Sequence, residues 1–171
     1  MKYFGTMKNE DGILSIGGVK VTELAEKYKT PLYIMDQELI EENMRIYKEN
    51  FKSEKFDTQI VYASKAFLAK AMCQLVEKYD MDIDAVSGGE LYTIKASGLP
   101  MSRVHMHGNN KTMEELEMCL DYEIGSIIID NETEIENLSK VCEEKNKKMK
   151  VMLRIKIGID AHTHEYIRTS K

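Results

Sequence analysis

The chain has 171 residues and a formal net charge of −5, and 43% of its residues are hydrophobic and 31% charged. This balance is typical of a soluble globular protein, and the acids and lysines alternate without the basic stripe that nucleic-acid binding requires. The sequence contains no apolar run of membrane-spanning length, no signal-peptide core at the amino terminus and no Cys-x-x-Cys pair. We therefore expect a cytoplasmic protein with reduced thiols that binds neither nucleic acid nor membranes.

The beginning of the chain differs in pattern from the rest. A short apolar run at residues 13–16 precedes a Gly17-Gly18 pair, and an amphipathic stretch follows at residues 23–28. These features predict a strand, a turn and a short helix. Because they precede the regular repeat described next, we expect them to belong to another structural layer.

Short apolar runs then alternate with helical patterns. A run of this kind is typical of a strand that is buried on both faces of a parallel sheet. The predicted strands are residues 32–35, 59–63, 81–85, 104–107, 127–129 and 151–155.

The helical patterns show where several helices begin and which side they bury. Residues 37–51 place apolar side chains on one face, and in residues 132–147 we expect Ile135, Leu138 and Cys142 to do the same. The segments SGGE (87–90) and TMEE (112–115) have capping-box spacing, and Asn131 is suited to cap the last helix.

Regular β-α alternation predicts a parallel sheet with right-handed crossovers, either open and doubly wound or closed as a (β/α)8 barrel. No Gly-x-Gly-x-x-Gly follows the first strand, which disfavours the dinucleotide-binding version of the open sheet. The even spacing favours the barrel, yet six strands cannot close a barrel of eight. The prediction is therefore an α/β fold with an incomplete (β/α)8 barrel.

Polar residues follow these strands at the ends where parallel α/β folds carry their active sites. Each also has a structural explanation: a lysine can extend to water, an aspartate can cap a helix, and an arginine can pair with a neighbouring carboxylate. The residues concerned are Lys65, Asp84, His107, Asp130 and Arg154.

Two pairs of histidines have the alternating spacing that a metal site on a strand uses. They are His105 with His107 and His162 with His164. Neither pair has a third ligand at an obvious spacing, so the sequence predicts no metal site.

Four segments in order resemble one enzyme family. They are YASKAF (62–67), DAVSGGEL (84–91), HGNNK (107–111) and GIDAHTHEYIRTSK (158–171). The first resembles the cofactor-lysine segment of the pyridoxal-phosphate-dependent decarboxylases that share the alanine-racemase barrel. The other three are similar to the diaminopimelate decarboxylase branch of that group.

The resemblance implies a two-domain enzyme in which residues 1–31 belong to a β-rich domain and residues 32–171 form part of the pyridoxal-phosphate-binding barrel. It implies that Lys65 bonds to the cofactor aldehyde and that Asp84, Glu90, Arg154 and His107 lie on the cofactor side. An apolar strand end would keep Lys65 dry, which makes its amine easier to deprotonate.

The implied reaction is the decarboxylation of meso-2,6-diaminopimelate to L-lysine in a homodimer with shared active sites. Two alternatives stay open: a sister decarboxylase acting on ornithine, arginine or carboxynorspermidine, and an α/β fragment without catalysis. The family's glycine-rich phosphate loop and several site residues would follow residue 171, so we expect the 171-residue chain alone to be inactive.

Overall fold

The computed structural model describes residues 2–155, which divide into two compact units, the second beginning at Val61. In the first unit, an antiparallel sheet of three strands precedes two helices. The elements are β1 (Lys8–Glu10), β2 (Ile13–Ile16), β3 (Val19–Lys20), α1 (Val21–Tyr28) and α2 (Gln37–Asn50).

The turn between β2 and β3 consists of Gly17 and Gly18, whose φ angles are 59° and 76°. Two consecutive residues with positive φ match the twist of a two-residue hairpin, and glycine adopts this conformation without a Cβ clash. The strand, turn and helix predicted in this region are confirmed. The assignment of residues 1–31 to a separate domain stays a prediction.

The first predicted barrel strand, residues 32–35, is wrong: this segment is irregular and outside both sheets. Three of its four apolar side chains are exposed, with Tyr33 at 95%, and Ile34 is half-buried. The segment leads directly to Asp36, which caps α2 by accepting a hydrogen bond from the Leu39 backbone N–H. A run of four apolar residues does not by periodicity alone distinguish a strand from other structures, and this one has no neighbouring strand to pair with in the described sheets.

The second unit contains five parallel strands hydrogen-bonded in their sequence order, with helices in the connections. The other five predicted strands are therefore confirmed, as is the α/β class. The elements are β4 (Val61–Ala63), α3 (Lys70–Lys78), β5 (Asp82–Ala85), α4 (Gly88–Ser97), β6 (Val104–Met106), α5 (Met113–Asp121), β7 (Ser126–Ile129), α6 (Glu132–Glu144) and β8 (Val151–Leu153).

The two faces of this sheet differ in polarity. Register pairs Ala63 with Asp84, Asp84 with His105 and His105 with Ser126, so this row lies on one face. The alternate positions form the opposite face, where the core residues of β5, β6 and β7 are buried. These core residues are Ile83, Ala85, Val104, Met106, Ile127 and Ile129.

The edge strands are more exposed than the central ones. Every residue of β7 is buried, whereas every residue of β8 is exposed, and β4 has only Tyr62 partly covered. In the described residues each edge strand has a partner strand on one side alone, which accounts for the difference.

Helix α6 is rotated relative to the face predicted for it. Ile135 is 46% exposed, and the buried positions are Glu134, Leu138 and Val141. The buried stripe therefore begins one residue earlier than the apolar pattern indicates, at a glutamate. The charge partner that allows Glu134 to be buried is described with the site below.

The predicted helix starts are confirmed. Thr112 and Glu115 form a complete capping box at α5, and the Asn131 side chain accepts from the Glu134 N–H at α6. Within residues 2–155, no helix is long and apolar enough to cross a membrane.

Candidate active site at the carboxyl ends of the strands

Lys65 lies in a 3-10 turn, Ser64–Ala66, directly after β4. The Tyr62 hydroxyl donates to the Phe67 carbonyl at 2.8 Å and closes this turn. Lys65 is exposed, contrary to the expectation of a dry amine, because β4 is an edge strand and no strand covers its outer side in the described structure. The position is accessible to a small molecule, and the adjacent Ser64 hydroxyl is buried without a hydrogen-bond partner among the described residues.

Asp84 pairs in register with Ala63, which is two residues before Lys65 in the chain. Burial raises the pKa of the Asp84 carboxyl above its ordinary value. The charges of His107, His105 and Lys65 act in the opposite direction. Lys65 and His107 are therefore each within electrostatic range of Asp84.

His107 follows β6 and is held by its backbone, whose N–H donates to the Ala85 carbonyl at 2.7 Å. Gly108 then turns the chain with φ of 115°, a conformation that suits glycine. The segment 107–111 thus leaves the sheet at the same edge as Asp84. We use the name rim for this end of the sheet. It is formed by the carboxyl ends of β4 to β8 and the segments that follow them.

Glu90 and Arg154 also lie on the rim, and each has a structural partner. Ser87 caps α4 by accepting from the Glu90 N–H, as its position predicts. The Glu90 carboxylate accepts from the Val86 N–H, one residue before the cap, so the reciprocal bond of a capping box is not the one described. Arg154 donates to Asp130 at 2.8 Å, joining the ends of β8 and β7. The structural explanation for Arg154 is therefore observed, and among residues 2–155 this ion pair engages only one of the guanidinium nitrogens.

Beneath the rim, four side chains form a hydrogen-bonded chain that we call the interior layer: Arg103, Asp82, His105 and Ser126. Asp82 accepts from Arg103 Nε at 3.3 Å and pairs with His105 Nε2 at 2.9 Å. His105 Nδ1 lies 2.7 Å from Ser126 Oγ. A carboxylate only accepts, so His105 Nε2 carries a proton and donates it to Asp82.

Membership of the interior layer distinguishes His105 from His107, which lies on the rim. Both ring nitrogens of His105 have protein partners, and no group of three potential metal ligands occurs within residues 2–155. The other pair, His162 and His164, and the motif at 158–171 lie outside the described residues.

The rim also contains a buried ion pair that the sequence analysis missed. Lys111, the last residue of HGNNK, pairs with Glu134 at 2.6 Å, and both side chains are almost fully buried. Two features of the sequence could have indicated this ion pair. One is a lysine inside a motif next to the site, and the other is a glutamate at a core position of α6. Apolar periodicity could not detect it, because it counts both as surface residues.

Comparison with known proteins identifies the family. Residues 37–171 match the family model described as pyridoxal-dependent decarboxylase, pyridoxal binding domain. The chain belongs to this family. The match covers the parallel strands β4 to β8, the rim and the interior layer.

Individual relatives agree with this membership. The diaminopimelate decarboxylase of Bacillus methanolicus is 49% identical over the whole chain, which spans 40% of that relative's length. The crystal structure of diaminopimelate decarboxylase from M. jannaschii is 34% identical, with a TM-score of 0.76, and the match covers 93% of this chain and 38% of that one. The same enzyme in co-complex with L-lysine matches 86% of this chain and 35% of its own, at 34% identity and a TM-score of 0.73. The predicted fold class, part of a (β/α)8-type barrel, is confirmed, with five barrel strands described rather than six.

Proposed function

We propose that this chain is the pyridoxal-phosphate-binding part of a carboxy-lyase that converts meso-2,6-diaminopimelate to L-lysine. The observation that carries the proposal is the accessible Lys65 amine on the rim, in electrostatic range of Asp84. The L-lysine complex of the M. jannaschii relative supports an amino acid of this class as the small-molecule ligand.

The residues on the rim fit the cofactor. Lys65 supplies a primary amine for its aldehyde carbon. The guanidinium of Arg154 supplies positive charge for an anionic group, and His107 adds an imidazole ring on the same rim. When bound, pyridoxal phosphate supplies an electron sink for the electron pair that remains when the substrate carboxylate leaves as carbon dioxide. We assign Asp84 and Glu90 to the cofactor side as well, with Glu90 also accepting from the Val86 N–H.

Proton transfer at Lys65 is the step to which the geometry contributes directly. Its Nζ must lose a proton to act as a nucleophile. Asp84 is a nearby carboxylate, and burial raises its pKa, so it accepts a proton more readily than an ordinary aspartate. We propose that Asp84 serves as this acceptor. A homodimer with shared active sites and a cytoplasmic location stay predictions from the sequence.

Borohydride reduction of the protein in its full natural length, loaded with pyridoxal phosphate, tests the assignment. Peptide mapping should find the reduced cofactor on Lys65. Lys65→Ala should abolish this label and carbon dioxide release, whereas Lys70→Ala, at the exposed start of the next helix, should retain both. A label on another lysine, or none, would refute the proposal.

Substrate choice is tested separately. Carbon dioxide release should be fastest from meso-2,6-diaminopimelate. Faster release from ornithine, arginine or carboxynorspermidine would assign the chain to a sister decarboxylase and contradict the substrate that we propose.

A further inference from the structure

Lys111 is a buried cation with a complete set of partners. Its ammonium group donates to the Gly108 carbonyl at 2.8 Å, the Ile128 carbonyl at 2.7 Å and Glu134 Oε1 at 2.6 Å. An ammonium group has three N–H donors, so each has an acceptor. The bonds connect the segment after β6, the end of β7 and the first turn of α6.

Glu134 carries the connection further along the rim. Its side chain is 3% exposed, and its second oxygen, Oε2, lies 3.4 Å from the Asp130 backbone N–H, which donates to it. The Asp130 side chain in turn accepts from Arg154. The buried pair thus orients the residue that holds the guanidinium of the candidate site.

The loop that carries His107 is attached at two points. Lys111 binds the Gly108 carbonyl, and the Asn131 side chain donates to the Asn109 carbonyl at 3.4 Å. His107 is the residue immediately before this attachment, and its charge acts on Asp84. The bonds of Lys111 therefore lead to His107, and those of Glu134 lead through Asp130 to Arg154. Both His107 and Arg154 are candidate residues of the cofactor side.

Stability alone does not explain a buried pair of this kind. Desolvation of two charges offsets most of their attraction, and well-packed apolar residues are often as stable in the same place. An apolar pair, however, would form no bonds to the Gly108 and Ile128 carbonyls and would not fix the loop. The directed bonds are what the ion pair adds.

We propose that Lys111 and Glu134 are positioning residues that hold His107 and the Asp130–Arg154 pair in place around the site. The inference deepens the proposed function and rests on it. Neither residue contacts the reacting groups in this assignment. Each acts through the loop or through Asp130.

Three variants of the protein in its full natural length test the inference. Lys111→Met removes the ammonium group but leaves Glu134 buried without its charge partner. The double variant Lys111→Met/Glu134→Gln removes both charges and guards against a simple failure to fold. Lys145→Met is the matched control: Lys145 donates to Asp121 at 2.9 Å, linking the far ends of α5 and α6 away from the rim.

The first readout needs neither cofactor nor substrate. Hydrogen exchange of the backbone amides in residues 107–111 should accelerate in both Lys111 variants and stay at the wild-type rate in the control. Unchanged exchange in the double variant would overturn the inference, whatever the activity.

The second readout is catalysis by the loaded protein. Displacement of the site by about 1 Å is enough to lower kcat/KM about 100-fold, and we expect a loss of this order in the double variant. Its thermal midpoint should stay near that of the control, which a purely structural role would not predict. Wild-type activity in the double variant would overturn the inference.

The two readouts separate this inference from the proposed function. If the wild-type protein shows no label on Lys65 and releases no carbon dioxide, the proposed function fails. In that case the exchange result is judged without the activity result. Faster exchange of residues 107–111 in the double variant would still support Lys111 and Glu134 as the residues that position the loop.

Discussion

Replacing Asp82 by alanine should destabilise the protein strongly, because this carboxylate is the centre of the interior layer. Its side chain is 14% exposed and bonds to both Arg103 and His105. A hydrogen bond to a charged group contributes about 1.5 to 3 kcal/mol net. Arg103 also pairs with Asp80 at 2.9 Å, so part of its interaction survives, and we take the lower value for each bond.

The expected loss is about 3 kcal/mol in the free energy of unfolding, the sum of two such bonds. In equilibrium urea unfolding this corresponds to a midpoint lower by about 1.5 M, at an m-value of about 2 kcal/mol/M. Asp82→Asn keeps an acceptor oxygen without the charge, so its loss should be intermediate.

Asp121→Ala is the matched control for this prediction. Asp121 also accepts from a basic residue, Lys145, but its side chain is 54% exposed. Solvent screens the charges of an exposed pair, so the loss of this one should cost much less than the loss of Asp82. If Asp82→Ala costs no more than Asp121→Ala, the interior layer does not stabilise the sheet as argued here.

Three further predictions concern the carboxyl group of the site, a close backbone contact and the thiols. Burial raises the pKa of Asp84, so the native state binds its proton more tightly than the unfolded state and loses stability as pH rises through this window. In urea titrations, Asp84→Asn should therefore stabilise the protein at neutral pH and lose this advantage well below pH 3.8. A change in stability that does not depend on pH would contradict a raised pKa for Asp84. Gly125→Ala would place a Cβ 2.2 Å from the Ser102 carbonyl oxygen and should lower the thermal midpoint, with a cost above the usual overpacking range of about 1 to 3 kcal/mol; an unchanged midpoint would refute it. Burial raises the pKa of the Cys119 thiol to about 12 from 9.0, so thiol reagents should modify Cys142 before Cys119 in the native protein, and equal rates would contradict the described burial.

Much of the fold follows from local pattern. Alternating apolar runs and capping segments predicted five of the parallel strands and the starts of α4, α5 and α6 correctly. Residues 32–35 have the same composition as these strands but form none, since a strand requires a neighbour and composition does not specify one.

The rim was predictable as a group and less so in its contacts. Parallel strands bring their carboxyl ends to one edge, which is why Lys65, Asp84 and His107 could be expected together before any coordinates. The burial of Lys65 was predicted wrongly, because exposure depends on what covers the edge strand. The interior layer was not predicted either, since strand register decides which residues face each other across neighbouring strands.

The order of the elements, the ends of several helices and the chemistry available at each strand end follow from local sequence, because they depend on residues close together in the chain. The burial of Glu134 rather than Ile135 on α6, and its pairing with Lys111, depend instead on contacts that form when the chain folds. A charged residue can be buried only where an opposite charge and matching hydrogen-bond donors or acceptors surround it. Those partners come from three different segments, so no local pattern could reveal them.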